Sequence, residues 1–319
     1  MRTRGVFALG ALALMAACGS DTAEPAPTTT SATAAVATTG APTTPAPTTV
    51  EPTTIEPTAV EPTTVAPTTI APATSAVAEP DSPDTLSAPE AVATSDGRTH
   101  FVYGAPAGQN HRDVKRIVIS LPGHGTSAED GYAAWSRHIV GGNWAVAELD
   151  WWDGEGEDPT DYEQPAEIVP QVRAFLHEQG YDADDVVVLH GFSRGSANTY
   201  GVIANDRLQP GAVFDAVISN AGKYQAGFPI TDHPLSDDEL TQLFSGVPWV
   251  LVCGGQDPNP DRDGCPGMTE TQTFLDEHGA DVLALLTDPD EGHGAFHLSP
   301  LGLPAQAFAL IDAALGVAT

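Results

Sequence analysis

Three residue types that together perform acyl transfer, a serine, an acid and a histidine, fall in this chain at points where apolar runs end. Ser193 stands within His190-Gly191-Phe192-Ser193-Arg194-Gly195, after the run Val186-Val187-Val188-Leu189 and before a helix-compatible stretch. A serine on so sharp a strand-to-helix turn presents its hydroxyl at the apex. The flanking Gly191 and Gly195 allow the strained turn and the close approach of helix to strand. Asp257 follows Gly254-Gly255-Gln256 at the end of the apolar run 247–253, and His293 lies in Glu291-Gly292-His293-Gly294 after the run 281–287. An imidazole that takes the serine proton makes the oxygen a nucleophile, and a carboxylate behind the imidazole orients it and stabilises its charged form. Asp261 and Asp263 in the same loop are alternative acids, and His297 is an alternative base. The run 214–220 ends without a carboxylate, which favours Asp257.

Acyl transfer also needs donors aimed at the developing oxyanion. The N–H of Arg194 directly follows the nucleophile. A second donor is expected after the strand 116–121, in Pro122-Gly123-His124-Gly125-Thr126, from His124 or Gly125. Trp151 and Trp152 follow the strand ending at Asp150 and are read as a stacking surface for a sugar or aromatic group, with a place in the core as the alternative for one of them. The stretch 221–246 mixes Tyr224, Phe228, Phe244 and several acids, and is read as a small cap carrying a further contact at Tyr224, with a plain surface excursion as the alternative. Asn259, Asp261, Asp263 and Glu270 have the spacing of a calcium loop, with Gly264 at its sixth position. That loop follows a strand where a helix is usual, so a solvated acid loop is the default and calcium a structural alternative. The chemistry itself calls for no cofactor.

These groups need a scaffold that delivers strand ends to one place. The pattern predicts strands at 99–105, 116–121, 143–150, 185–190, 213–219, 247–253 and 281–287. Helices are expected within 165–179, over 195–208, around 271–278 and at 305–315. Alternation of this kind argues for a mostly parallel sheet with helices on both faces. From about Gly97 to the C-terminus the chain resembles an α/β-hydrolase, a fold that supplies its triad in the order serine, acid, histidine. The segments 97–106 and 126–130 resemble those of a secreted esterase group that contains polyhydroxybutyrate depolymerases and feruloyl esterases. The resemblance implies a carboxylic ester hydrolase acting on a small-molecule or polymeric ester, with a peptidase or thioesterase of the same fold, or a non-catalytic surface binding lipoprotein, as the alternatives. Two departures concern the substrate class: Pro122-Gly123 precedes His124-Gly125, and Ser196 stands where a second glycine is usual.

The N-terminus indicates a compartment. Arg2 and Arg4 precede an apolar core at 5–15 that is too short to span a bilayer, followed by Ala16-Ala17-Cys18. Met15-Ala16-Ala17-Cys18 resembles a bacterial lipobox, which implies a signal peptide at 1–17, lipidation of Cys18 and outward-facing attachment to the membrane through acyl chains. Residues 18–90 are rich in Thr, Pro and Ala, with a five-residue repeat from Val50 that includes Val-Glu-Pro-Thr-Thr. Such a stretch lacks the apolar content to offset chain entropy and reads as an extended tether, reaching on the order of 200 Å. This leaves 91–319 as one catalytic domain. With Cys18 assigned to lipid, Cys253 and Cys265 remain as a pair that an oxidising compartment would bridge. The 43 acids against 12 Lys and Arg give a net charge of −31. That field opposes nucleic acid and other anionic polymers as partners.

Overall fold

The computed structural model describes residues 86–317 apart from 139–142, 153–155, 157, 226–227 and 229–234. All of them belong to the unit Ala73–Thr319. The expected signal peptide, Cys18, residues 18–85 of the expected tether and much of the first half of the expected cap lie outside the described residues.

The strands are β1 (Glu90–Ala93), β2 (His100–Gly104), β3 (Arg116–Leu121), β4 (Ala145–Leu149), β5 (Val186–Phe192), β6 (Ala216–Asn220), β7 (Pro248–Gly254) and β8 (Asp281–Asp288). They form one sheet in the order β1-β2-β4-β3-β5-β6-β7-β8. The β1–β2 and β2–β4 pairs are antiparallel and the others parallel. Every residue of β3, β4, β6 and β7 is buried. Strands covered on both faces read as continuous apolar runs, which is why 247–253 was recognisable while its facing direction was not.

Helices α1 (Ala128–His138), α2 (Pro165–Gln179), α3 (Arg194–Leu208), α4 (Asp237–Phe244), α5 (Cys265–Glu277), α6 (Ala295–Leu298) and α7 (Leu303–Leu315) complete the described elements. One face of the sheet packs Ile117, Ile119 and Leu251 with Val172, Phe175, Ile203, Phe244 and Leu275, from α2, α3, α4 and α5. The other packs Val118, Val188 and Val250 with Trp135, Phe296, Phe308 and Ile311, from α1, α6 and α7. Neighbouring strand residues enter opposite cores, as the two-residue period requires. Among the described residues no helix is long and apolar enough to cross a membrane.

The structure moves two expected boundaries. Leu86 is already buried and bridges Pro106, and β1 starts at Glu90, so the folded part begins before residue 91. The second half of the expected cap is α4, whose Leu240, Leu243 and Phe244 belong to the main core. Ser236 starts this helix with a reciprocal capping box to Glu239, and Phe244 at its end meets Trp249 of β7 edge-on at 5.9 Å.

Glu148 of β4 is wholly buried, and burial pushes its carboxyl up to about 8 despite hydrogen bonds from Ser120 and Trp135. An acid whose folded pKa lies above its unfolded value binds the extra proton in the folded state. Its stabilising effect is therefore complete below the ordinary pKa of 4.5 and is lost as pH rises towards about 8. Glu148→Gln is expected to flatten that decline, by up to about 1.4 kcal/mol per pH unit, in urea unfolding between pH 5 and 8. An unchanged slope would remove Glu148 as its source.

Candidate active site

The parallel strands all present their C-terminal ends to one region, where ligands bind in open α/β sheets. Ser193 follows β5, Asp257 follows β7, His293 follows β8 and His124 follows β3. Ser193 occupies φ 54° and ψ −115°, one of two non-glycine residues at positive φ among those described; the other is Ala221 at 53°. Such backbone is costly for a residue with a Cβ and persists only where surrounding structure enforces it. Here the Ser193 N–H donates to Asn220 O at 2.8 Å, and Ala221 N–H donates to Val252 O at 3.0 Å. Helix α3 then comes so close to β3 that a Cβ on Gly195 would stand 2.1 Å from the Leu121 carbonyl oxygen. The glycine is therefore sterically required at that position.

The acid and histidine loops are stitched together. Gly255 N–H donates to Asp288 O and Gln256 N–H to Glu291 O, both at 2.8 Å. Asp257, whose side chain is fully buried, accepts from Asn259 N–H at 2.8 Å through Oδ1. Its Oδ2 accepts from His293 Nδ1–H at 2.7 Å. That bond holds the imidazole through Nδ1. The Phe192 ring packs on the His293 ring at 4.8 Å, next to Ser193 in the chain. His297, the alternative base, instead lies against Trp135, His190 and Phe296 in an aromatic cluster.

A pocket of about 230 Å³ opens on Ser193, with His124, Arg194, Lys223, Phe228, Arg262 and Asp263 in its wall. Gly123 to Thr126 form a turn, with Thr126 N–H donating to Gly123 O and Gly125 at φ 71° in its third position. That is the place where a type II turn demands positive φ. His124 lines the pocket and Gly125 is not part of its wall. The His124 side chain is hydrogen-bonded to the Tyr162 hydroxyl and meets Trp152 edge-on at 5.1 Å.

Several expected contacts are corrected. Trp151 is 1% exposed and its indole N–H donates to Pro122 O at 2.9 Å, so it supports the turn and offers no face to a ligand. Trp152 buttresses His124 and is absent from the pocket wall. Tyr224 stacks on Phe274 at 3.8 Å, while its neighbours Lys223 and Gln225 line the pocket. The calcium-loop residues do not converge: Arg262 takes Asp263 through Nε at 2.8 Å and Nη2 at 2.6 Å, and Lys223 takes Glu270 at 2.8 Å. Among the described residues the group with metal-ligand proximity is Asp257, Asp263 and His293, within 4.8 Å of one another, not Asn259, Asp261, Asp263 and Glu270. Sequence reasoning missed Lys223 and Arg262 as pocket residues, since neither stands in a motif. Ser196, in place of a usual glycine, donates to Gly222 O at 2.9 Å and holds the loop after β6.

Cys253 and Cys265 form a disulfide that ties the end of β7 to the start of α5 and brackets Asp257. Replacing both with serine is expected to lower unfolding stability by about 2–4 kcal/mol, read as a lower urea midpoint under oxidising conditions. An unchanged midpoint would mean that the packed loop holds itself.

No protein-family model matches the sequence, and no curated protein matches it either. Solved structures do match. A fungal esterase structure from Rhizomucor miehei superposes with TM-score 0.52 at 16% identity, covering 72% of this chain and 82% of that one. An α/β-hydrolase enzyme from the metagenome of Lake Arreo, Spain, gives 0.52 at 18% identity, covering 75% and 86%. The Thermus thermophilus protein TT1662 gives 0.52 at 17% identity, covering 73% and 99%. The chain has the α/β-hydrolase fold.

Proposed function

We propose that this chain is an exported serine hydrolase that cleaves carboxylic esters through an acyl-enzyme. The observation that carries the reading is the hydrogen bond between His293 and the buried Asp257, together with a serine held at positive φ on a strand-to-helix turn whose preceding residue, Phe192, packs on the His293 ring. Ser193 Oγ attacks the ester carbonyl carbon while His293 Nε2 takes its proton. The carbonyl π pair moves to oxygen, where the N–H of Arg194 and that of His124 receive it. Collapse expels the alcohol, which leaves with the proton from His293. Water, deprotonated by the same imidazole, then hydrolyses the acyl-enzyme and frees the acid. Asp257 keeps Nδ1–H in place and stabilises the imidazolium throughout. Side chains and backbone supply every step, so the reaction requires no metal or cofactor.

An ester as acyl donor is supported by the resemblance to secreted esterases and by the esterase name of the Rhizomucor miehei neighbour. Export is supported by the lipobox-like Met15-Ala16-Ala17-Cys18 and by the Thr- and Pro-rich stretch after it, which would carry the enzyme outward from a lipid anchor. The test is covalent labelling with a fluorophosphonate, with the adduct located by peptide mass spectrometry. An adduct on Ser193 that disappears in Ser193→Ala is expected. A folded wild-type protein that takes no label would overturn the reading.

A further inference from the structure

The wall around Ser193 reverses the charge of the molecule. Arg194, Lys223 and Arg262 are three of only twelve Lys and Arg residues in a chain of net charge −31, and all three line this one pocket. Asp263 is the acid in the same wall, and its carboxylate is held by Arg262 at 2.6 and 2.8 Å. Lys223 reaches Glu270, whose carboxylate is exposed and lies outside the wall. Arg194 differs from both: among the described residues its guanidinium makes no ion pair with a carboxylate. It lies over the rings of Tyr162 and Phe228, 5.4 and 5.2 Å from their centroids.

Aromatic faces hold a guanidinium in place without using its N–H donors, so among the described residues the planar fork of Arg194 is left for a ligand. A strongly acidic surface opposes the approach of anions. A recognition site for one must therefore be built from local cations close to the chemistry, and the pocket has that arrangement.

We propose that the ester cleaved here carries a carboxylate, which Arg194 binds with Lys223 and Arg262 supplying further positive potential. The proposal rests on Ser193 being the nucleophile of an ester hydrolase, and it names the substrate class for that site. Hydrolysis adds one water across the ester C–O bond, and the bound carboxylate is unchanged by the reaction. The same chemistry accepts the carboxylate on the acyl part or on the alcohol part.

The test uses the full chain and two pairs of esters, followed by proton release. Monoethyl glutarate against ethyl valerate places the charge on the acyl side, and γ-acetoxybutyrate against butyl acetate places it on the alcohol side. One pair is expected to show kcat/KM higher for the charged member by roughly tenfold to a hundredfold, the range of a charge-assisted hydrogen bond. That preference should shrink as salt screens it. Arg194→Gln, which retains the backbone N–H, should bring the ratio close to one, and Lys223→Gln should lower it in part. Equal or better hydrolysis of the neutral member in both pairs would overturn the proposal, as would a preference that survives in Arg194→Gln. In those cases a labelled Ser193 and turnover of neutral esters would leave the esterase standing. If no ester is hydrolysed and Ser193 takes no label, the underlying reading fails, and the carboxylate site with it.

Discussion

Ser193→Ala is expected to lower kcat for an activated ester by about 10⁶-fold, with His293→Ala doing equal harm and the double variant no more. The expectation follows from how the two groups share one step. Without the hydroxyl there is no acyl-enzyme, and without the imidazole the hydroxyl keeps its proton. Neither group does its part alone, so their losses do not add. What survives is binding and the oxyanion donors, which the Arg194 and His124 backbone would still supply. The fold should be untouched, because the Ser193 backbone N–H bond to Asn220 and the glycine contacts behind it do not involve the hydroxyl. The measurement is kcat for the single and double variants, with near-UV circular dichroism to verify packing. Additive losses would mean that serine and histidine act in separate steps, and a small loss in Ser193→Ala would place the nucleophile elsewhere.

Asp257→Asn is expected to cost about 10⁴-fold in kcat. The asparagine amide can turn its N–H₂ towards His293 Nδ1, which then must accept, so the proton moves to the nitrogen that should take it from serine. Buried Asp257 has no solvent to restore the other tautomer. Asp263→Asn makes the informative comparison, since the two carboxylates and His293 lie within 4.8 Å. Asp263 is already taken twice by Arg262 and should matter far less for chemistry on a neutral ester. If Asp263→Asn proves the more damaging substitution, the assignment of the acid is reversed.

The buried serine–histidine pair Ser120 and His190, hydrogen-bonded at 2.8 Å, shows why residue types alone do not make a site. His190 is enclosed by Trp135 and Phe296, and burial holds its imidazole well below its ordinary pKa, so it stays neutral. It has the same chemistry as His293, but it is 1% exposed and among the described residues it bonds to no carboxylate.

The sequence by itself determined the elbow at Ser193 and the succession of strand ends carrying Asp257 and His293. Those features are local: an apolar run, a turn that only glycine allows at Gly195, and a polar loop lie within a few residues of one another. It likewise paired Cys253 with Cys265, because the chain has three cysteines and the third, Cys18, lies in the N-terminal stretch read as a lipobox. The tertiary structure decided what depends on residues distant in the chain. It sent Trp151 into the core under Pro122, fixed Trp152 against His124, stacked Tyr224 on Phe274 and removed two of the supposed calcium ligands to Arg262 and Lys223. It also gathered Arg194, Lys223 and Arg262 into one pocket. The physical reason is that burial and ion pairing are set by neighbours in space. A periodic pattern can show that a strand ends, but it carries no record of which distant loop will meet it there.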